Sequence, residues 1–193
     1  MSLTEQQQRR IQANQDKTFE GAEHTGLVVA HYGKTLDVET ADGRICRCHT
    51  RKNLGALVTG DRVAYEPEAR NLDAGVITAF APRHSVLERP DPYKKIKLIA
   101  ANVDHIFVVA AVVPEPVPYY IDKYLVAAAH YDIPATIVLN KVDLVTENTP
   151  FDVIKARYEA IGYPVMQCSA VAQDGLTELQ TACRRRRRRW PDR

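Results

Sequence analysis

The most informative absence in this sequence is that of a long apolar run. Its 193 residues include no uninterrupted apolar stretch of the about 18–20 residues that a helix needs to cross a bilayer. Residues 1–17, MSLTEQQQRRIQANQDK, are polar and lack the apolar centre of a secretory signal peptide. Both absences argue against a membrane or secreted protein and predict a cytoplasmic one.

Cysteine is scarce, with four residues in the chain. Cys46 and Cys48 are one residue apart in an alternating run, so both side chains are expected on the same face of a strand. The sequence has no C-x₂-C pair and no histidine at zinc-finger spacing after them. We therefore interpret the cysteines as buried or half-buried thiols in a reducing compartment and predict no metal ligands among them.

Positive charge is concentrated at one end of the chain. Residues 184–193 hold seven arginines and one aspartate, out of 26 basic and 24 acidic residues in all. The remaining 19 basic and 23 acidic residues give the body of the chain a net charge of −4. The terminal block alone could bind nucleic acid or anionic lipid nonspecifically, but it does not make the folded part basic.

Residues 21–82 have the pattern of a small β-barrel. Five short stretches are rich in β-branched and aromatic residues and are bounded by turn residues. Asp42-Gly43 suits a two-residue hairpin turn, and Gly60-Asp61 marks another turn. Five strands in about 55 residues predict an OB-like closed barrel, with an SH3-like barrel as the alternative. Residues 1–20 are interpreted as a polar tail. The five stretches are TGLVVAHYG, LDVETADG, RICRCHT, LVTGDRVAYEP and AGVITAF.

The pattern changes at residue 83, after which apolar runs alternate with stretches of helical periodicity. This alternation is typical of βαβ units and predicts a parallel sheet, and the continuous apolar runs predict strands that are buried on both faces at 103–113 and 133–140. In the first helix, Ile121, Tyr124, Leu125 and Ala128 are expected to form one apolar stripe. The predicted strands cover residues 103–113, 133–140 and 164–170, and the predicted helices cover 119–131, 150–162 and 175–182.

The second of these strands ends in Asn140-Lys141-Val142-Asp143, an N-K-x-D sequence. The carboxyl end of a parallel strand is where α/β folds bind ligands. The carboxylate of Asp143 could accept hydrogen bonds from N1–H and the exocyclic amine of guanine, and adenine offers neither. Asn140 could bond to N7 while the stem of Lys141 covers the base. The pattern predicts a guanine site, and the alternative is an ordinary surface loop.

A second element supports the guanine site. The third predicted strand ends in Cys168-Ser169-Ala170, and Ser169 lies 26 residues after Asp143. GTPases place a Ser-Ala pair at this position, and its backbone N–H meets O6 of guanine. Ser169 and Ala170 are therefore added to the predicted nucleotide-binding residues.

Several stretches together resemble the circularly permuted small-subunit biogenesis GTPases of the RsgA/YjeQ family. The barrel sequences GLVVAHYGKTLDVETADGRICRCHTRKNL and LVTGDRVAYEP match that family's OB domain. RHSVLERPDPYKKIKLIAANVDHIFVVAAVVPE matches its linker and first GTPase strand. YLVAAAHYDIPATIVLNKVDL and GYPVMQCSAVAQDGL match the region of its guanine-specificity motifs. The likeness runs from Gly26 to Ala182.

This resemblance implies a fold and a function. The fold is β plus α/β, an OB-like barrel over 21–82 followed by a partial P-loop-NTPase-type GTPase domain over 83–182. The function is GTP-dependent late maturation of the small (30S) ribosomal subunit. The implied ligands are GTP or GDP with Mg²⁺, and zinc in a domain beyond the matched region. The implied partners are the small subunit and its ribosomal RNA, without a membrane, and the protein is expected to be a monomer.

The sequence departs from the family pattern after Ala182. The family continues with a strand and G-x-x-x-x-G-K-[ST], a pattern that the 193 residues do not contain. Gly33-Lys34-Thr35 resembles the end of that phosphate-binding pattern, but Val28 stands where its first glycine is required. A barrel hairpin is the better interpretation. We expect a truncated, catalytically incomplete chain with no significant GTP hydrolysis. We also expect an unpaired apolar edge on strand 103–113.

Two basic segments have alternative interpretations. Residues 183–193 are either an RNA-binding tail or, as we favour, the product of a reading-frame error. In the barrel, five basic residues could bind ribosomal RNA without catalysis, which would make the chain a non-enzymatic OB module. Residues 21–82 hold eight acidic and seven basic side chains, so a solvated face is the alternative. The five candidate RNA-binding residues are Arg44, Arg47, His49, Arg51 and Lys52.

Overall fold

A computed structural model describes residues 18–52, 54–90, 96–146 and 151–186. The chain divides into two compact units between Val103 and Asp104. The sequence pattern changes earlier, at residue 83, because a β-hairpin that follows the barrel remains attached to it. Among the described residues, no helix combines the length and apolar character that crossing a membrane requires.

The first unit contains a closed five-stranded barrel, as the sequence predicts. The strand order β1-β2-β3-β5-β4 is closed by antiparallel pairing of β1 with β4, while β3 and β5 pair in parallel. Gly33-Lys34 forms the β1–β2 turn, which confirms the hairpin interpretation, and Asp42-Gly43 lies in the β2–β3 turn. The strands are β1 Thr25–Tyr32, β2 Thr35–Thr40, β3 Ile45–Thr50, β4 Arg62–Glu68 and β5 Asn71–Phe80.

Alternation of apolar and polar residues fills the barrel interior. On β3, Cys46 and Cys48 both point inward and their sulfur atoms lie 3.5 Å apart. Burial raises the pKa of both thiols, so they remain protonated and unreactive at neutral pH. They pack with Val28, Leu36 and Val38, which are likewise closed off from solvent.

A hairpin of β6 (Val86–Pro90) and β7 (Ile96–Ala101) follows the barrel within the first unit. The backbone N–H of Ala101 donates to the carbonyl of Thr59 at 3.0 Å. Gly60 has a φ of +93°, and a Cβ built there would lie 1.9 Å from the carbonyl oxygen of Ala101. Only glycine permits this approach, which holds the hairpin against the loop before β4.

The same loop is anchored by a buried ion pair. The Arg83 guanidinium donates to both carboxylate oxygens of Asp61, at 2.7 and 2.8 Å, and to the Ala56 carbonyl at 2.7 Å. Asp61 also accepts a hydrogen bond from the Val58 N–H at 2.8 Å, and its side chain is fully buried. Arg83 therefore belongs structurally to the barrel, although the sequence pattern assigns it to the next domain.

The second unit is an α/β layer around a parallel three-stranded sheet of order β10-β9-β8, which confirms the predicted βαβ arrangement. The central strand, β9, is buried from Ala135 to Leu139. The third helix extends beyond the predicted residue 182 into the arginine run. The elements are β8 Ile106–Ala111, α1 Pro118–His130, β9 Ala135–Asn140, α2 Phe151–Ala160, β10 Val165–Cys168 and α3 Leu176–Arg186.

Two expectations for this unit need correction. Strand β8 was expected to be buried on both faces, but Val109 is 64 % exposed because it lies on the face opposite to that of Val108, which packs in the core. Strand β8 is an edge strand of the described sheet, so its outer edge is unpaired among the described residues, as predicted. The stripe on α1 consists of Ile121, Leu125 and Ala128, whereas Tyr124 is 55 % exposed because it lies at the margin of the stripe.

Tyr158 on α2 joins the helices beneath the sheet. Its hydroxyl donates to a carboxylate oxygen of Asp122 at 2.9 Å, and 1 % of the residue is exposed. Burial, together with this hydrogen bond, raises the pKa of Tyr158 to about 12. The raised pKa means that the folded state favours the protonated phenol.

We expect the second unit to lose stability as the pH rises from about 10, the ordinary tyrosine pKa, through about 12, its value in the fold. Below pH 10 the protonated Tyr158 makes its full contribution to the stability of the unit. Absorbance of tyrosinate at alkaline pH should show a late-titrating group that is missing in Tyr158→Phe. Equal titration curves after scaling for the number of tyrosines would contradict this prediction. Tyr119→Phe, which changes an exposed tyrosine, is the control.

Candidate functional site

The N-K-x-D sequence lies at the carboxyl end of β9, the central strand of the sheet. Asn140 is the last residue of β9, and Val142–Leu144 form a single 3₁₀ turn. Between them, Lys141 has a φ of +65°, a left-handed conformation that is uncommon for a residue with a side chain. This local reversal places Asn140 and Asp143 at the same edge of the sheet, which is the usual ligand-binding edge of α/β folds.

The side chain of Asn140 connects two loops. Its Oδ1 accepts hydrogen bonds from the backbone N–H of Lys141 at 2.8 Å and of Ala170 at 3.3 Å. The Cys168 thiol, buried below, lies 3.6 Å from the same oxygen. Because its oxygen is engaged by the protein, Asn140 has its amide N–H groups available for an acceptor such as N7 of guanine.

Ser169 holds Asp143 in place. Its hydroxyl makes a short hydrogen bond to Oδ1 of Asp143, and the serine is fully buried. The Ser169 Oγ accepts from the Ala172 N–H at 2.9 Å, and the Ser169 N–H donates to the Asp174 carbonyl at 2.9 Å. One oxygen of Asp143 is thus fixed by the protein, while the carboxylate as a whole remains exposed.

The loop after β10 depends on a glycine. Gly175 has a φ of +65°, and a Cβ built there would lie 2.1 Å from the carbonyl oxygen of Gln167. A larger residue would push the loop away from β10 and would shift Ser169. The short connection from β10 to α3 therefore requires glycine at position 175.

Lys141 reaches back to the strand next to its own. Its Nζ donates to the backbone carbonyl of Val113 at 3.1 Å, just beyond the end of β8. The aliphatic stem therefore spans the edge of the sheet between β9 and β8. From this position the stem of Lys141 could cover the face of a bound base, as predicted.

The structure brings together all six residues predicted for the nucleotide site. Their contact with guanine stays a prediction. Sequence reasoning missed three supporting groups, namely the Cys168 thiol, the Val113 carbonyl and the Asp174-Gly175 turn. The Asp-Gly pair after the Ser-Ala element was the one available signal, since such pairs mark tight turns.

The basic cluster predicted on the barrel is partly neutralised. Arg47 donates to both oxygens of Asp37, at 2.8 and 3.1 Å, and this hydrogen bonding lowers the pKa of Asp37. Arg44 donates to Asp42, whose pKa is lowered to about 2 by hydrogen bonds from the Thr40 hydroxyl and from Arg44. The other three predicted residues, His49, Arg51 and Lys52, are exposed.

Comparisons with known proteins relate this chain to one family of GTPases. Residues 80–188 match the family model described as RsgA GTPase. A small ribosomal subunit biogenesis GTPase RsgA from Azotobacter vinelandii is 48 % identical over 168 residues, which cover 84 % of this chain and 48 % of that protein. The corresponding protein from Shewanella oneidensis is 40 % identical over 200 residues, covering 92 % of this chain and 56 % of the relative.

Solved structures agree. The crystal structure of YjeQ from Thermotoga maritima has a TM-score of 0.65 at 30 % identity and covers 82 % of this chain and 56 % of that one. The circularly permuted GTPase YloQ has a TM-score of 0.62 at 26 % identity, with 82 % and 55 % covered. The chain spans about half the length of the curated relatives that it matches.

The closed barrel, the parallel sheet and the likeness to YloQ place this chain in the class of the circularly permuted GTPases. Within that class, residues 80–188 match the RsgA GTPase family model. The chain belongs to the RsgA GTPase family.

Proposed function

We propose that this chain is the barrel and guanine-recognition part of a GTPase that acts in late maturation of the small ribosomal subunit. The observation that carries the proposal is the pair of contacts from Ser169 to Asp143 and from Ala170 to Asn140. They join two sequence motifs at one edge of a parallel sheet, with donors and acceptors that suit guanine. The relatives' names supply the small ribosomal subunit as the partner.

In this proposal each residue has a defined task. Asp143 accepts the two N–H donors of the guanine edge, and Ser169 orients its carboxylate. Asn140 donates to N7, Lys141 covers the base with its stem, and the Ala170 N–H turns from Asn140 to O6 of guanine. Val142 packs on the hydrophobic core and fixes the turn between them.

Hydrolysis is proposed for the family's longer proteins. Phosphoryl transfer depends on phosphates held by backbone N–H groups, a lysine and Mg²⁺. The 193 residues contain no G-x-x-x-x-G-K-[ST] sequence, so we expect them to recognise the base without measurable turnover.

The resemblance also implies Mg²⁺ and zinc. Within the described ranges, no three His, Cys, Asp or Glu side chains are grouped so that they could hold a metal ion. We propose that both ions belong to the longer proteins of the family. A monomer acting in the cytoplasm without a membrane partner is consistent with the proposed role.

A second candidate function is RNA binding by the barrel without catalysis. The exposed residues His49, Arg51 and Lys52 favour it, and Arg47 lies over the ring of Tyr32, with its guanidinium carbon 5.4 Å from the ring centroid. An aromatic ring beside basic groups is typical of single-strand binding surfaces. A fragment used to measure RNA binding by the barrel alone should extend to residue 103. A fragment that ends before Arg83 would leave buried Asp61 without its ion-pair partner.

Sedimentation with purified small ribosomal subunits tests the proposed function. We expect the chain to pellet with the subunits at low salt and to do so less as salt rises, because phosphate contacts are salt-dependent. The variant Arg51→Gln with Lys52→Gln should weaken this binding several-fold. The control is Glu23→Gln with Asp132→Asn, which removes two exposed acidic charges elsewhere. Absence of binding to small subunits at low salt would overturn the proposal.

A further inference from the structure

The first unit has a groove that the predicted sites do not include. It lies between the β6–β7 hairpin, the end of β1 and the loop before β4, and its volume is about 320 Å³. That size is comparable to the smaller ligand pockets of proteins and could hold one nucleotide. Its lining residues are His31, Val58, Thr59, Arg89, Lys97, Leu98 and Ile99.

The walls of this hairpin groove are fixed to one another. Thr59 on one wall bridges to Ala100 of β7, and the Asn102 side chain donates to the Gly60 carbonyl at 2.8 Å. The buried pair of Asp61 and Arg83 anchors the same loop from behind. The groove is thus a built feature of the first unit.

The charges in the groove are all of one sign. Arg89 and Lys97 face each other directly across the antiparallel β6–β7 pair. Like charges in that position repel each other and destabilise a hairpin. None of the lining residues carries a carboxylate, and among the described residues neither Arg89 nor Lys97 forms an ion pair. An anion between the two side chains would remove the repulsion.

The apolar part of the lining narrows the chemistry of the ligand. Val58, Leu98 and Ile99 lie beside the cations, so the groove combines an anion-binding side with an apolar side. A nucleotide of an RNA strand has the same combination, a phosphate next to a base and a ribose. An arginine can bind a phosphate through two parallel hydrogen bonds, and a lysine adds a point charge.

We propose that the hairpin groove binds one nucleotide of single-stranded RNA, with Arg89 and Lys97 on its phosphate and the apolar wall against its base or ribose. The inference deepens the proposed function, on which it rests for the choice of RNA as partner. It differs from the predicted barrel cluster, in which Arg44 and Arg47 are already paired with carboxylates.

The test is binding of a fluorescently labelled oligouridine of about 12 nucleotides to the whole chain at several salt concentrations. Replacing both cations, Arg89→Gln with Lys97→Gln, should weaken binding about tenfold at low salt. It should also reduce the slope of log K against log salt by about 0.7, the contribution of one lost phosphate contact on a single strand.

The control is Arg70→Gln with Lys123→Gln, which removes the same charge from exposed positions outside the groove. It leaves the terminal arginine block in place, as does the groove variant. We expect the control to keep the wild-type slope. A control that loses as much affinity as the groove variant overturns the inference, because the effect is then general attraction between charges.

A site-specific measurement separates this inference from the proposed function. In an NMR titration with the same oligouridine, the amide signals of Thr59, Leu98 and Ile99 should shift in the wild type and remain fixed in Arg89→Gln with Lys97→Gln. If the wild type binds small ribosomal subunits but these signals do not move with RNA, the groove assignment is wrong and the proposed function stands. If the wild type binds neither RNA nor subunits, both fail.

Discussion

Replacing Asp61 with alanine is expected to lower the free energy of unfolding of the barrel unit by about 3–5 kcal/mol, the usual cost of breaking a buried ion pair. The Asp61 side chain is fully buried, and that of Arg83 is 19 % exposed. Without the carboxylate, the Arg83 guanidinium keeps the Ala56 carbonyl and the ring of Phe80 but has no counter-ion among the described residues, and the Val58 N–H loses its acceptor. The penalty comes from a largely buried charge without a counter-ion and a buried N–H group without an acceptor.

Chemical denaturation followed by circular dichroism measures this loss in the transition of the barrel unit. Asp42→Asn is the matched control, because it removes the acid of an ion pair in which both side chains are more than half exposed. Its effect should be much smaller, as is usual for surface pairs. A loss in Asp61→Ala no larger than in Asp42→Asn would show that the pair contributes little. The double variant Asp61→Leu with Arg83→Met should recover part of the loss by removing both charges together.

Asp143→Asn is expected to reverse the base preference of the guanine site. The carboxylate of Asp143 accepts two hydrogen bonds from guanine, whereas a carboxamide presents an N–H₂ group in place of one acceptor. Xanthine carries a carbonyl where guanine has its amine, so the variant should favour xanthosine over guanosine. We expect the ratio of the two dissociation constants to change on the order of 10²-fold or more, since a buried polar group left unpaired discriminates strongly.

The ratio of the dissociation constants for guanosine and xanthosine can be measured by NMR or calorimetric titration of the 193-residue chain. Using nucleosides makes the comparison independent of phosphate contacts. Asp132→Asn is the control, because it removes an exposed acidic charge from the same unit at a residue with φ of +53°, which asparagine tolerates. If Asp143→Asn keeps the wild-type preference for guanosine, then Asp143 does not read the base.

Local sequence was sufficient for much of the fold. Alternation in ICRCHT predicts that Cys46 and Cys48 share the barrel interior, and they do. The continuous apolar run of IPATIVLN predicts a strand buried on both faces, which is β9. These predictions hold because the period of a strand or helix is set by the backbone and is visible within a few residues.

The margins of the elements were less predictable. Tyr124 fits the helical period of α1, yet it is exposed because the sheet covers only the centre of the stripe. The hairpin of β6 and β7 stays with the barrel, so the division of the chain falls after Val103. Neither outcome is visible in local patterns, because each depends on which surfaces meet after folding.

The sequence by itself determined the order of elements, the position of N-K-x-D at a strand end and the resemblance to a GTPase family. The tertiary structure alone decided which side chains meet. Asp61 and Arg83 are 22 residues apart, and Ser169 and Asp143 are 26 apart, and both pairs form because strands bring distant loops to one place. Periodicity records which face of an element is buried, whereas a hydrogen bond between loops depends on distances that only the packed chain sets.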